Sequence, residues 1–125
     1  FGDPETQVYL ARLENDLVEL LDASVNGTLG RMELAWKPES AVCVVMVAGG
    51  YPDAYPTGAA IRGLEVAAAR PGTAVFHAGT RRQGDGTIVT AGGRVLGITA
   101  IREDRRLDVT IAAAVTGALP DGRRV

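Results

Sequence analysis

Two patterns of apolar positions divide the chain. In the first, Leu10, Leu13, Leu17, Leu20 and Leu21 recur at helical spacing, with Ser24 and Val25 next. Arg12, Glu14, Asp16, Glu19 and Asp22 fill the opposite face, where simple solvation explains them. Ahead of them, Gly2-Asp3-Pro4-Glu5 reads as a helix start, with Asp3 as N-cap and Pro4 at the first helical position. The spacing predicts one helix over about Pro4 to Ser24, stopped by Asn26-Gly27.

The second pattern is a run of eight apolar residues, Ala41 to Ala48, halted by Gly49 and Gly50. Val42, Val44, Val45 and Val47 are β-branched, which favours a strand. The run falls far short of the roughly 20 apolar residues a membrane helix needs. Its lack of alternation predicts a central strand covered on both faces. Arg31 to Trp36 alternates, with Met32, Leu34 and Trp36 on one side. It reads as a strand, or as a strand preceded by one helical turn from Thr28, and its economical partner is Ala41–Ala48 in a hairpin. Core or rim packing is the simpler reading of Trp36; a stacking platform is the other.

Tyr51 to Gly63 is irregular, with two Tyr-Pro pairs and several turn residues. Ile61 and Leu64 are positioned to tack it to the core. Binding and rigid connection are both open readings for a loop this long. A short helix follows over Leu64 to Ala69, ended by Arg70-Pro71-Gly72. Thr73–His77, Thr87–Thr90 and Arg94–Ile101 read as strands, separated by turns at Arg81–Gly86 and Ala91-Gly92-Gly93. Leu107, Ile111, Val115 and Leu119 step by four around an alanine-rich middle, which predicts a C-terminal helix. The whole reads as α+β: a mainly antiparallel sheet with a long N-terminal helix and a C-terminal helix.

Composition narrows the function classes. A chain of 125 residues fits one domain, and 46% hydrophobic against 22% charged residues supports a real core. With 5% aromatic residues, that core is aliphatic. Sixteen glycines, against a usual share of about 7%, mark turns and close backbone approaches. A net charge of −2 gives no reason to expect nucleic acid or an anionic membrane as partner. The single cysteine, Cys43, lies in the apolar run and reads as a buried inert thiol of a reducing, cytoplasmic compartment.

The candidate chemistry is sparse. His77 is the one histidine, so a zinc cluster is excluded; it reads as a structural or rim histidine. No phosphate-binding fingerprint occurs, because Ala91-Gly92-Gly93 lacks both the spacing and the following helix. Two features remain. Asp3 and Glu5 place two carboxylates at a helix start, where a metal or a cationic group can meet them. At Gly49-Gly50-Tyr51-Pro52, missing side chains let a ligand approach the backbone.

Taken in order, FGDPETQ, LARLENDLVELL, AVCVVMVAGGYP, VFHAGT and TAGGRVLGITA resemble the C-terminal portion of the phosphoribosylamine–glycine ligase family, also called glycinamide ribonucleotide synthetase. The resemblance runs from Phe1 to about Ala100; the alanine-rich stretch beyond departs from the family pattern. It implies an ATP-grasp enzyme of de novo purine synthesis that joins glycine to 5-phosphoribosylamine and splits ATP to ADP and phosphate. ATP lies between two lobes, magnesium or manganese bridges its phosphates, and glycine reacts as an acyl phosphate. By the same resemblance, Gly2, Asp3, Pro4 and Glu5 line the active-site wall, and Gly50, Tyr51 and Pro52 approach the cleft. The family's metal-binding Glu and Asn and its nucleotide lobes precede the position of Phe1. No catalytic residue is therefore expected here, and Glu5 is the one metal candidate. Residues 1–25 would be the last helix of the ATP-grasp domain and residues 26–125 the C-terminal domain, inactive alone. Two other readings stand beside this one. One is a non-catalytic lid or interaction domain packed on an ATP-grasp core, and the other is a freestanding small-ligand binder using the Tyr51–Gly63 loop.

Overall fold

The structure is a computed structural model and describes residues 2–102. Helix α1 spans Glu5–Arg12 and α2 spans Leu17–Val25. A 3-10 turn at Leu29–Arg31 leads toward strand β1, Ser40–Val47. Then come α3 (Leu64–Ala68), β2 (Thr73–His77), β3 (Thr80–Arg82), β4 (Ile88–Thr90) and β5 (Arg94–Arg102).

The single helix expected over Pro4–Ser24 is two helices. Leu13 leaves helical geometry with ψ 130°, and the chain resumes at α2. Side chains at the break explain it. Asp16 caps α2, its carboxylate accepting from Val18 N at 2.7 Å and Glu19 N at 3.4 Å. Asn15 accepts from Ala35 N at 2.7 Å and donates to Glu33 O at 3.1 Å. These contacts give the backbone an alternative to continuing the helix. At the start, Pro4 holds the N-cap position in place of Asp3, and no side chain caps α1. The stop at Asn26-Gly27 is as expected, with Gly27 at φ +68°.

The segment Arg31–Trp36 is not a strand beside β1. After the 3-10 turn it runs along the helix break instead: Glu14 N donates to Ala35 O at 3.0 Å, and Lys37 N to Arg12 O at 2.8 Å. Trp36 bridges Leu13 there and stays exposed. These bonds consume the backbone groups a hairpin with β1 would need.

The main sheet has the order β1-β5-β2, antiparallel throughout. β1 is therefore an edge strand and β5 is central, the reverse of the prominence their apolar runs suggest. β5 carries Gly97 and Thr99, which dilute its hydrophobicity, yet Val95 to Thr99 are all buried. Gly97 has a packing reason. A side chain there would collide with the Gln7 carboxamide of α1, which also accepts from Cys43 Sγ at 2.9 Å. Without a Cβ at 97, α1 closes onto β1 and β5.

The opposite face holds the core of Ala48, Ile61, Val95, Leu96 and Ile98, with Met46, Leu64, Val75 and Ile88 against it. β1 is thus covered on both faces, by Gln7 at Cys43 and by the core at Met46. β3 and β4 form a hairpin inserted between β2 and β5, so the strands nest instead of following one another as a meander. The C-terminal helix expected around Leu107 to Leu119 lies outside the described residues.

Candidate functional site

Three glycine-containing turns meet at one end of the main sheet. The first follows β1. Ala48 N donates to Gly93 O at 2.7 Å, and Tyr51 N returns to Ala48 O at 3.0 Å. Gly50 has φ +100°, and a Cβ there would lie 2.5 Å from Ala54 O, so the position demands glycine twice over. The second turn, Ala91-Gly92-Gly93, precedes β5. A side chain at Gly93 would overlap the Tyr51 ring and come within 3.1 Å of Tyr55. The two tyrosine rings sit 6.0 Å apart at a 57° tilt. The third turn follows β2. Gly79 N donates to Arg94 O at 2.8 Å and Ala91 N to Gly79 O at 2.7 Å, which presses Gly79 against Gly92.

Arg94, the first residue of β5, joins this end to the N-terminal segment. Its Nη2 lies 3.2 Å from Asp3 Oδ2, and its Nη1 donates to Asp3 O at 3.3 Å. The side chains are 45% and 67% exposed, so the pair faces solvent. Around it, the Glu5 carboxylate folds over Gly2, and the Thr6 hydroxyl donates to Gly2 O. The peptides preceding Pro4 and Pro52 are both cis.

The two groups singled out in the sequence, Gly2–Glu5 and Gly50–Pro52, thus come to one end of the sheet, linked through Gly93 and Arg94. Arg94 and Gly93 are not among the expected site residues, and Tyr55 is expected only as part of the Tyr51–Gly63 loop of the small-ligand-binder reading. The signal was present in Ala91-Gly92-Gly93-Arg94, where two bare residues precede a cation, but local pattern reads it as a turn. Asp3 pairs with Arg94, while Glu5 turns back on Gly2. Among the described residues, no three His, Cys, Asp or Glu side chains gather to hold a metal. These residues alone therefore do not fit a magnesium or manganese site, and the Glu5 assignment finds no companion ligands.

Elsewhere, His77 Nδ1 lies 3.0 Å from the Thr80 hydroxyl at the exposed rim. Asp85 holds the β3–β4 turn. Hydrogen bonds from the Thr87 amide and hydroxyl keep its carboxyl below the usual aspartate value. Among the described residues, no helix is long and apolar enough to cross a membrane.

Comparison with known proteins decides the family. The family model "Phosphoribosylglycinamide synthetase, C domain" matches residues 41–117. The chain belongs to that family. Phosphoribosylamine–glycine ligase from Phenylobacterium zucineum is 52% identical over 107 residues, covering 85% of this chain and 25% of the relative. That of Vigna unguiculata is 50% identical over 105 residues, covering 83% of this chain and 34% of the relative. The crystal structure of phosphoribosylamine–glycine ligase from Thermotoga maritima superposes with a TM-score of 0.59 at 34% identity. That match covers 84% of this chain and 25% of the solved one. The chain thus spans a quarter to a third of the length of these relatives. The antiparallel α+β architecture is that of the synthetase C domain.

Proposed function

We propose that this chain is the C-terminal portion of a cytoplasmic ATP-dependent ligase of de novo purine synthesis. The intact enzyme joins glycine to 5-phosphoribosylamine, giving glycinamide ribonucleotide, ADP and phosphate. The observation that carries this reading is the synthetase C-domain match over residues 41–117. The convergence of Gly2–Glu5 and Gly50–Pro52 around Arg94 supports it, because that end of the sheet is what a substrate cleft would border.

In this reading, ATP and its magnesium or manganese ions are held by ATP-grasp lobes encoded ahead of Phe1. Bound there, the metal supplies charge neutralisation for the transferring phosphoryl group. This chain's own residues wall the cleft, shape its floor with bare glycines, and present Arg94. Residues 1–25 close the ATP-grasp domain and residues 26–125 form the C-terminal domain. Val18, Leu21 and Val25 of α2 are exposed, Val25 at 88%, which suits a surface buried against those lobes. The same surface is what a lid packed on an ATP-grasp core would show. A lid and a substrate-cleft wall are distinguished by whether substitutions at Tyr51 or Asp3 alter turnover.

The test is complementation. The intact gene, including the region upstream of the Phe1 codon, restores growth without purines to a host lacking this ligase. The segment encoding residues 1–125 alone does not. Failure of the intact gene, with the protein expressed and folded, contradicts the proposal.

A further inference from the structure

The segment Gly2–Glu5 leads into α1, yet little holds that helix in place. No residue of α1 is fully buried, and no side chain caps it. Its far end is tied to the segment before β1, where Arg12 Nη2 donates to Lys37 O at 3.0 Å and Lys37 Nζ to Ala11 O at 3.2 Å. Among the described residues, two side-chain contacts join its leading end to the main sheet. One is the Asp3–Arg94 pair, which is too exposed to hold a helix by itself. The other is Gln7. Its Oε1 accepts from Cys43 Sγ at 2.9 Å, and its carboxamide fills the space a side chain at Gly97 would take. A thiol is a weak donor, so this seat is mainly a matter of shape.

The sheet receives both contacts on one face. Residues alternate between faces along a strand, so Arg94 and Gly97, three apart, would ordinarily lie on opposite sides. A bulge prevents this. Met46 pairs with Leu96 but Val47 pairs with Arg94, which leaves Val95 as an extra residue of β5. Val45, opposite Gly97, and Val47, opposite Arg94, share a face of β1, so Arg94 comes round to the face of Gly97. The two contacts stand roughly 10 Å apart along β5. One contact alone lets the head of α1 swing. Two fix the line on which it lies, and the Gln7 side chain fixes its distance from the sheet.

We propose that Gln7 is a positioning residue. Its length, matched to the bare backbone of Gly97, sets how far α1 stands off the sheet and so where Gly2–Glu5 lies against the Tyr51–Pro52 turn. This rests on the ligase reading above and goes beyond it by giving a role to a residue outside the cleft wall. Gln7 touches no substrate; it acts through the segment ahead of it.

Steady-state kinetics on the intact gene product test it, with folding of each variant checked by circular dichroism. Gln7→Ala lowers kcat/KM for phosphoribosylamine and for glycine about tenfold or more, because small misplacements at a reacting centre are costly. KM for ATP, held by the upstream lobes, stays within about twofold. Gln7→Met, of equal length but without the amide, stays within about threefold of wild type in all these values. Gly97→Ala displaces the carboxamide and shows the same loss as Gln7→Ala. Adding Gln7→Asn, one methylene shorter, to Gly97→Ala recovers at least about threefold of that loss.

Wild-type kinetics in Gln7→Ala overturn the proposal. So does Gln7→Met as damaged as Gln7→Ala, which would put the thiol contact and not the stand-off in control. A loss that follows the folded fraction, with kcat/KM per folded molecule unchanged, marks a merely structural role and overturns it too. Failure of Gln7→Asn to rescue Gly97→Ala does the same. Should Gly97→Ala not fold, Gln7→Ala against Gln7→Met decides the matter. Absence of ligation by wild type removes the ligase reading itself; ligation with insensitive Gln7 variants removes only this assignment.

Discussion

The ring of Tyr51 lies over Gly93 so closely that a methyl group at position 93 would overlap it. This contact joins the turn after β1 to the turn before β5, together with the Ala48 N to Gly93 O bond of 2.7 Å. Gly93→Ala therefore forces Tyr51 outward. The expected loss is about 1–3 kcal/mol, the usual range for inserting a methyl group into a packed site. Denaturant unfolding measures it; a variant as stable as wild type would show that Tyr51 moves aside freely.

Helix α2 depends on its cap. Asp16→Ala removes the acceptor for Val18 N and Glu19 N, and is expected to lower stability by about 0.5–2 kcal/mol. Asp22→Ala, on the exposed face of α2, is expected to stay within about 0.5 kcal/mol of wild type. Equal effects at the two positions, read from urea midpoints, would contradict the break in the helix at Leu13 to Asp16.

Much of the fold is legible from local pattern. β2 spans Thr73–His77 as expected, α3 and β5 differ from expectation by a residue, and Asn26-Gly27 stops α2. These are elements whose signals lie within a few residues. The helix break is not legible, because leucine spacing continues through Leu13 and Leu17 while the decisive contacts come from Glu33 and Ala35, some twenty residues away. Arg31–Trp36 fails for the same reason, its partner being the break itself. β5 is underrated because Gly97 looks weak until Gln7 is seen to occupy its space. At the site, Asp3 and Tyr51 stand out from local chemistry, whereas Arg94 does not. Its meaning lies in a partner 91 residues away.

The β3–β4 turn gives a pH dependence with a definite sign. Asp85 is held below the usual aspartate value chiefly by the Thr87 amide. The charged form is thus favoured in the folded state. The stability it contributes is present above the unfolded-state value of 3.8 and lost as pH falls through the lowered folded value. An NMR titration of Asp85 should give a midpoint below 3.8, rising toward it in Thr87→Ala as the hydroxyl bond is lost. A midpoint at or above 3.8 in the wild-type protein would contradict this account of the turn.

Because the Asp3–Arg94 pair faces solvent, Asp3→Asn is expected to change unfolding stability by only about 0–1 kcal/mol. Added salt should shrink the difference further. A loss well above that range would mean the pair is a structural clamp, and would weaken the case that it borders a cleft.

The central claim is that this C domain completes a glycine- and phosphoribosylamine-dependent ATP-splitting enzyme. The most direct measurement is ADP formation by the purified intact gene product with magnesium, omitting each substrate in turn. The account predicts ADP only when ATP, glycine and phosphoribosylamine are all present, with glycinamide ribonucleotide formed in equal amount and nothing formed by residues 1–125 alone. ADP release indifferent to glycine or phosphoribosylamine, or turnover by residues 1–125 alone, would contradict it.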